Sequence, residues 1–229
     1  MDLNIIKDIP VEIDEEKLAR KLRISRGGAG MSERFHRLVQ EAIEIARPKG
    51  AYRPVSFDLQ GDDGIVIDSV LLTSRVLAVH LNEIHRVFPF VVTCGREVAD
   101  WANTQTEVLE RFWLEAILDN ILMSAITRTG EQIISTHALG KTAVMTPGSL
   151  VDWPIQEQKQ LFTILGDVET AIGVRLLDSF MMDPRQSVSG ILFTTEIDFQ
   201  TCMLCPQQEC PKRRAAHDPD LYEQRYRKK

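Results

Sequence analysis

The stretch from Thr106 to Thr127 limits the fold more than any other part of the chain. Val108, Leu109, Phe112, Trp113, Leu114, Ala116, Ile117, Leu118, Ile121, Leu122, Met123, Ala125 and Ile126 surround a helix on most of its circumference. Such a helix must be covered on most sides. The expectation is a central core helix. A chain of 229 residues can bury one without disulfides or metal.

The flanks are mixed. Leu3 to Ile13 alternates partly and contains Pro10, which predicts an edge strand. Asp14 precedes Glu15 and Glu16, with Arg20, Lys21 and Arg23 further on, a capped helix with its charges placed as the dipole favours. Ser32 is read as the start of a second helix that ends at Pro48-Lys49-Gly50. Arg53 to Leu59 and Ile65 to Asp68, joined by Gln60-Gly61-Asp62-Asp63-Gly64, read as a hairpin. Asp68-Ser69 is read as opening a helix to about Glu83, with His80 on its inner side as a hydrogen-bonded core residue. Val87 to Thr93 is nearly all apolar and predicts a central strand. Thr142 to Leu150 is extended and turns at Pro147-Gly148. Ile155 to Leu165 is a helix, and Gly173 to Leu177 a strand. Strands and helices follow no regular βαβ repeat. The fold class expected is α+β, a twisted antiparallel or mixed sheet with packed helices.

Charge and motifs exclude several functions. The net charge is −6, with +4 in the last nineteen residues, so a nucleic-acid surface is not expected. No apolar run approaches the ~18 residues that would span a bilayer, and Met1 to Asp8 has no signal-peptide pattern. The expected location is cytoplasmic. Arg26-Gly27-Gly28-Ala29-Gly30 lacks the spacing of a dinucleotide loop. Gly140-Lys141-Thr142 lacks the glycine that a phosphate loop needs at Ser135.

Two stretches carry chemistry. In Ser179 to Gly190, the small residues Ser187, Ser189 and Gly190 sit where a packed strand prefers bulk. That is the mark of a bulge or of a close approach by a ligand or another backbone. Cys202-Met203-Leu204-Cys205, followed by Cys210, offers three thiolates at metal-ligand spacing. Structural zinc, an iron–sulfur cluster and a redox dithiol all fit that spacing. Cys94 and His217 are the candidates for a fourth ligand. The division expected is one domain over residues 1–200, with the cysteine cluster and a basic tail over 201–229.

Pro147-Gly148 with Pro154, the helix Gln156 to Leu165, Ile172 to Leu176, and Ser179-Phe180, Met182, Pro184 and Ser187-Val188-Ser189-Gly190 together resemble the reactivation domain of cobalamin-dependent methionine synthase. The match runs from Val144 to Phe193. The resemblance implies a partner, a corrinoid-binding methionine synthase or related methyltransferase, whose cobalamin has oxidised to cob(II)alamin. It implies docking over the corrinoid, S-adenosylmethionine as methyl donor and an electron donor protein of flavodoxin type. It also assigns Pro147, Gly148, Ser187, Ser189 and Gly190 to cofactor binding. Two positions depart from the family. Val144 stands where the family has the arginine that pairs with the ligand carboxylate, and Ser149 stands where it has a tyrosine. The cysteine cluster has no counterpart in that domain.

Overall fold

The computed structural model describes residues 2–207, 209–210 and 213–227. The first half runs β1 (Asn4–Ile6), α1 (Glu15–Leu22), α2 (Ala29–Ile45), β2 (Lys49–Tyr52), β3 (Asp58–Gln60), β4 (Gly64–Ile67), β5 (Val70–Thr73), α3 (Arg75–Leu81) and β6 (Phe88–Thr93). The second half runs α4 (Arg96–Thr104), α5 (Val108–His137), β7 (Thr142–Met145), α6 (Gln158–Leu165), α7 (Val168–Ile172), β8 (Arg175–Leu176), β9 (Met182–Asp183), β10 (Ser187–Thr194) and α8 (Leu221–Arg225). The class is α+β.

Five strands form an antiparallel sheet in the order β1-β2-β6-β10-β7. Because side chains alternate across a strand, each central strand feeds two cores. Ala51, Val91, Ile191 and Phe193 point to one face. There they meet the β3-β4-β5 sheet, α3, α6 and α7. Tyr52, Phe90, Val92 and Leu192 point to the other, against Ala125 and Ile133 of α5. A third cluster joins α1, α2 and α4 to the first half of α5, with Phe35 edge-on to Trp113 at 5.7 Å.

The long helix is central as expected, and it extends ten residues past Thr127. Its first turn is not covered: Val108 is 84% exposed and Phe112 58%. β1 is the expected edge strand, and β6 the expected central one. Asp14 caps α1 by accepting from Lys17 N at 2.9 Å. α2 begins at Ala29, three residues before Ser32.

Residues 70–73 form a strand where a helix was expected. Asp68 and Ser69 both take positive φ, 49° and 66°, and close a two-residue hairpin in which Ile67 faces Val70. That turn fits the twist of paired strands. Ser74 then caps α3, accepting from Leu77 N at 3.0 Å. Asp152 adds a second cap, accepting from Arg75 N at 3.2 Å and Val76 N at 3.0 Å.

The segment after β10 returns to the core. Phe199 and Tyr226 are 4% and 1% exposed. Both rings lie against His80, at 4.1 and 5.7 Å between centroids. His80 Nε2 and Tyr226 Oη are 2.8 Å apart, and Arg75 Nε donates to Tyr226 O at 3.0 Å. His80 thus clamps both ends of a C-terminal strap.

Burial, reinforced by Arg225, holds the His80 pKa down to about 4, against 6.5 when solvated. The folded state therefore keeps a neutral ring, while the unfolded chain takes up a proton near pH 6.5. Stability is complete above that pH and falls as pH drops toward 4, by up to about 3 kcal/mol. Urea unfolding at pH 7.5 and pH 5 is expected to show this loss in the native chain and a flatter dependence in His80→Gln.

Candidate functional site

The stretch from Ser179 to Gly190 is a hairpin arm followed by a central strand. β8 pairs with β9, Arg175 facing Asp183 and Leu176 facing Met182. The tip closes through Leu177 N to Met181 O and Phe180 N to Leu177 O, both 2.9 Å. Leu177 and Met181 remain 37% and 51% exposed there. Arg96 and Arg175 each place Nη2 3.1 Å from Asp183 Oδ2. Arg96 also donates to Gly173 O at 3.0 Å, so one guanidinium holds both strands of the arm. A cis Asp183–Pro184 bond leads into β10.

The small residues of β10 serve the architecture. Ser187 Oγ lies 2.7 Å from Pro184 O and 3.0 Å from Thr93 Oγ1. Ser189, 2% exposed, donates to Gln158 Oε1 at 3.0 Å, and Gln158 Nε2 donates to Phe180 O at 2.9 Å. A Cβ on Gly190 would lie 2.5 Å from Met145 O and 3.0 Å from the Phe90 ring. The close approach read from the sequence is thus made by the neighbouring strand and an aromatic ring.

Pro147-Gly148 leaves the sheet beside these residues, because Met145 pairs with Ile191 and Thr146 Cγ2 lies 3.1 Å from the same Gly190 Cβ position. Gly148 takes φ 81° and donates to Trp153 O at 2.8 Å. Ser149 turns inward, its Oγ donating to Thr146 O at 2.5 Å. The loop folds over Trp153, which is fully buried. Pro147-Gly148 therefore follows the residues that pack on Gly190, while Ser187 and Ser189 are engaged by Pro184, Thr93 and Gln158.

The cysteines divide. Cys94 packs in the helical core, fully buried, and burial pushes its thiol up to about 12. Such a thiol is inert. Cys205 packs against the opposite core, and His217 is exposed. Cys205 N donates to Cys202 O at 3.3 Å, closing a turn that begins with a cysteine, and Arg213 N donates to Cys210 O at 3.1 Å. Arg213 ties these segments together, donating to Cys202 O at 2.8 Å and Cys205 O at 3.0 Å, while Arg214 N reaches Cys202 Sγ at 3.5 Å. Among the described residues, no group of three His, Cys, Asp or Glu side chains is placed to hold a metal ion.

Four residues organise this region without having stood out in the sequence: Arg96, Asp152, Gln158 and Arg213. Only Gln158 carried a signal, as a polar residue on the inward face that holds Leu161 and Leu165.

Residues 147–200 match the family model described as the vitamin B12 dependent methionine synthase, activation domain. The fold is similar to a crystal structure of the MetH reactivation domain bound to AdoHcy. The TM-score is 0.58 at 16% identity, covering 87% of this chain and 81% of that one. No curated protein sequence matches this chain. The chain thus resembles the methionine synthase activation domain in both sequence and fold.

The two positions that depart from the family lie at this end of the sheet. Val144 lies on the edge strand β7, 38% exposed, and offers a carboxylate no charge. Ser149 has spent its hydroxyl on the loop.

Gly190→Ala is expected to force β7 outward and cost about 1–3 kcal/mol. Gly140→Ala, with no atom within 4 Å of the added Cβ, is expected to be near neutral. Thermal unfolding of the two variants checks this.

Proposed function

We propose that this chain acts in trans on a corrinoid-binding methionine synthase or related methyltransferase, helping to return oxidised cob(II)alamin to its active state. The observation that carries this reading is the place of the family match. Residues 147–200 hold the Pro-Gly corner, the hairpin arm and β10, which converge at one end of the sheet. Leu177 and Met181 at the hairpin tip, and Val151 in the corner loop, present exposed apolar groups for a partner. A reductant would supply the electron and S-adenosylmethionine the methyl group to the partner's corrinoid, and this chain would supply the docking surface. Because Val144 and Ser149 do not fit an amino-acid carboxylate, S-adenosylmethionine is not assigned to the corner.

The test is anaerobic. The chain is mixed with a cob(II)alamin-loaded methionine synthase that lacks its own activation domain, together with a reductant and S-adenosylmethionine. The cob(II)alamin paramagnetic signal is expected to decay faster with the chain present. Met181→Asp is expected to slow that decay about tenfold, the effect of losing one well-packed apolar contact. No acceleration by the native chain, and no co-purification with the partner, would remove the reading.

The second reading is a binding module held at its C-terminus by metal. It draws support from the turn that Cys202 and Cys205 close and from the backbone N–H at Cys202 Sγ, a contact that suits a thiolate ligand. Cys202, Cys205 and Cys210 would be the ligands of zinc or of an iron–sulfur cluster. The thiols must close up from their present positions to share an ion. Metal and sulfide analysis of anaerobically purified protein is expected to show loss of the metal in Cys205→Ser and its retention in Cys94→Ala. Zinc alone favours the module; iron with labile sulfide favours an electron-transfer role beside the corrinoid.

A further inference from the structure

A groove separates the Pro147-Gly148 loop from the C-terminal strap. Its volume is about 560 Å³, within the range of small-molecule sites. Leu150, Val151 and Ile155 form one wall, and Leu204, Pro206 and Tyr222 the other. Both walls are fixed from behind. On the loop side, the missing Cβ of Gly148 lets Ile155 close in, since a Cβ there would lie 2.9 Å from Ile155 Cδ1. On the strap side, Arg213 holds the carbonyls of Cys202 and Cys205, which bracket Leu204 and precede Pro206.

The chemistry of the walls selects an occupant. Among the described lining residues there is no Lys, Arg or His. The one charged group, Asp152, is engaged by Ser74 Oγ and by the N–H groups of Arg75 and Val76. The Ser149 hydroxyl is turned away onto Thr146 O. A carboxylate or phosphate entering the groove would lose its hydration and meet no countercharge. The ring-bearing residues Tyr222 and Pro206 and the branched side chains opposite favour a ring. At the mouth, Val151 is 96% exposed, Tyr222 41% and Ile155 39%, apolar surface that an occupant would cover. We propose that this groove is a binding site for an uncharged, ring-bearing small molecule, and that it rejects anions.

Trp153, between the lining residues Asp152 and Pro154, is fully buried, and its indole N–H has no partner among the described residues. With Trp101 and Trp113 it supplies tryptophan emission for energy transfer to a bound dye.

The test is a matched pair of dyes with one ring system: neutral N-phenyl-1-naphthylamine and its anionic sulfonate, 1-anilinonaphthalene-8-sulfonate. The neutral dye is expected to bind saturably, one per chain, with energy transfer from tryptophan. The sulfonate is expected to bind roughly tenfold more weakly or worse. Ile155→Trp and Leu204→Trp each fill the groove and should abolish binding, with thermal unfolding as the check on folding. Val151→Lys alters only an exposed side chain at the mouth and should raise sulfonate affinity roughly tenfold. Phe112→Ser removes exposed apolar surface from the start of α5 and should change nothing. Equal affinity for the two dyes overturns the proposal. So does neutral-dye binding that survives both filling variants or disappears with Phe112→Ser. Docking on a corrinoid protein is a separate matter, decided by the decay of the cob(II)alamin signal.

Discussion

The pairing of β10 between β6 and β7 is the constraint on which the rest of the structure depends. Ser187 to Leu192 runs against Thr93 to Phe88, and Ile191 to Thr194 runs against Met145 to Thr142. Because side chains alternate, this one strand commits Ile191 and Phe193 to the core under α3 and α6, and Leu192 to the core under α5. A slip of one residue would exchange the two sets and expose both cores. Gly190 holds the register, because only the absence of a Cβ lets the Met145 carbonyl lie so close. The same pairing carries Pro147-Gly148 to the side of the hairpin arm. Fold and candidate site therefore rest on one set of hydrogen bonds.

The C-terminal strap is a second closure, and it depends on the first. Phe193 of β10 sits 5.5 Å from the His80 ring, and Phe199 and Tyr226 complete the enclosure. Burial disfavours the charged forms of His80 and Tyr226 alike, holding the first down to about 4 and pushing the second up to about 12. Their hydrogen bond therefore joins two neutral rings across the working range of pH. Such a bond contributes modestly by itself, about 1 kcal/mol. Its importance is topological, since with Arg75 and the packing of Leu204, Cys205 and Leu221 it fixes the far end of the segment that follows Phe199.

Where the sequence was legible, a local rule and the tertiary structure agreed. Asp14 capped its helix, Val87 to Thr93 supplied the central strand, and His80 was a hydrogen-bonded core residue. Where it was not, a tertiary partner decided. Val70 to Thr73 has a pattern that a helix could use, yet β4 claimed it through a turn whose positive φ falls on Asp68 and Ser69 rather than on glycine. Lys49 to Tyr52 looked like a helix terminus because its strand character lies in pairing with β1 and β6, not in its own composition. Tyr226 stood in a basic, polar tail and gave no sign of burial. The candidate site residues came as a set from the family resemblance. Their structural roles were not legible, because a motif cannot say which neighbour a small residue makes room for.

That distinction bears on where specificity resides. Ser187, Ser189 and Gly190 are taken up by Pro184, Thr93, Gln158, Met145 and Phe90. They build the surface and have little left to offer a ligand. What remains accessible lies on the loops they support: the hairpin tip at Leu177 and Met181, and the corner at Val151 and Ile155. These groups are apolar, and with Val144 the corner lacks the charge that would read an amino-acid end. A frame that keeps its buried residues while its rim changes can carry different sites, because the buried residues build the fold and the rim meets what binds. The C-terminal strap lays Leu204, Pro206 and Tyr222 opposite the corner as an apolar wall.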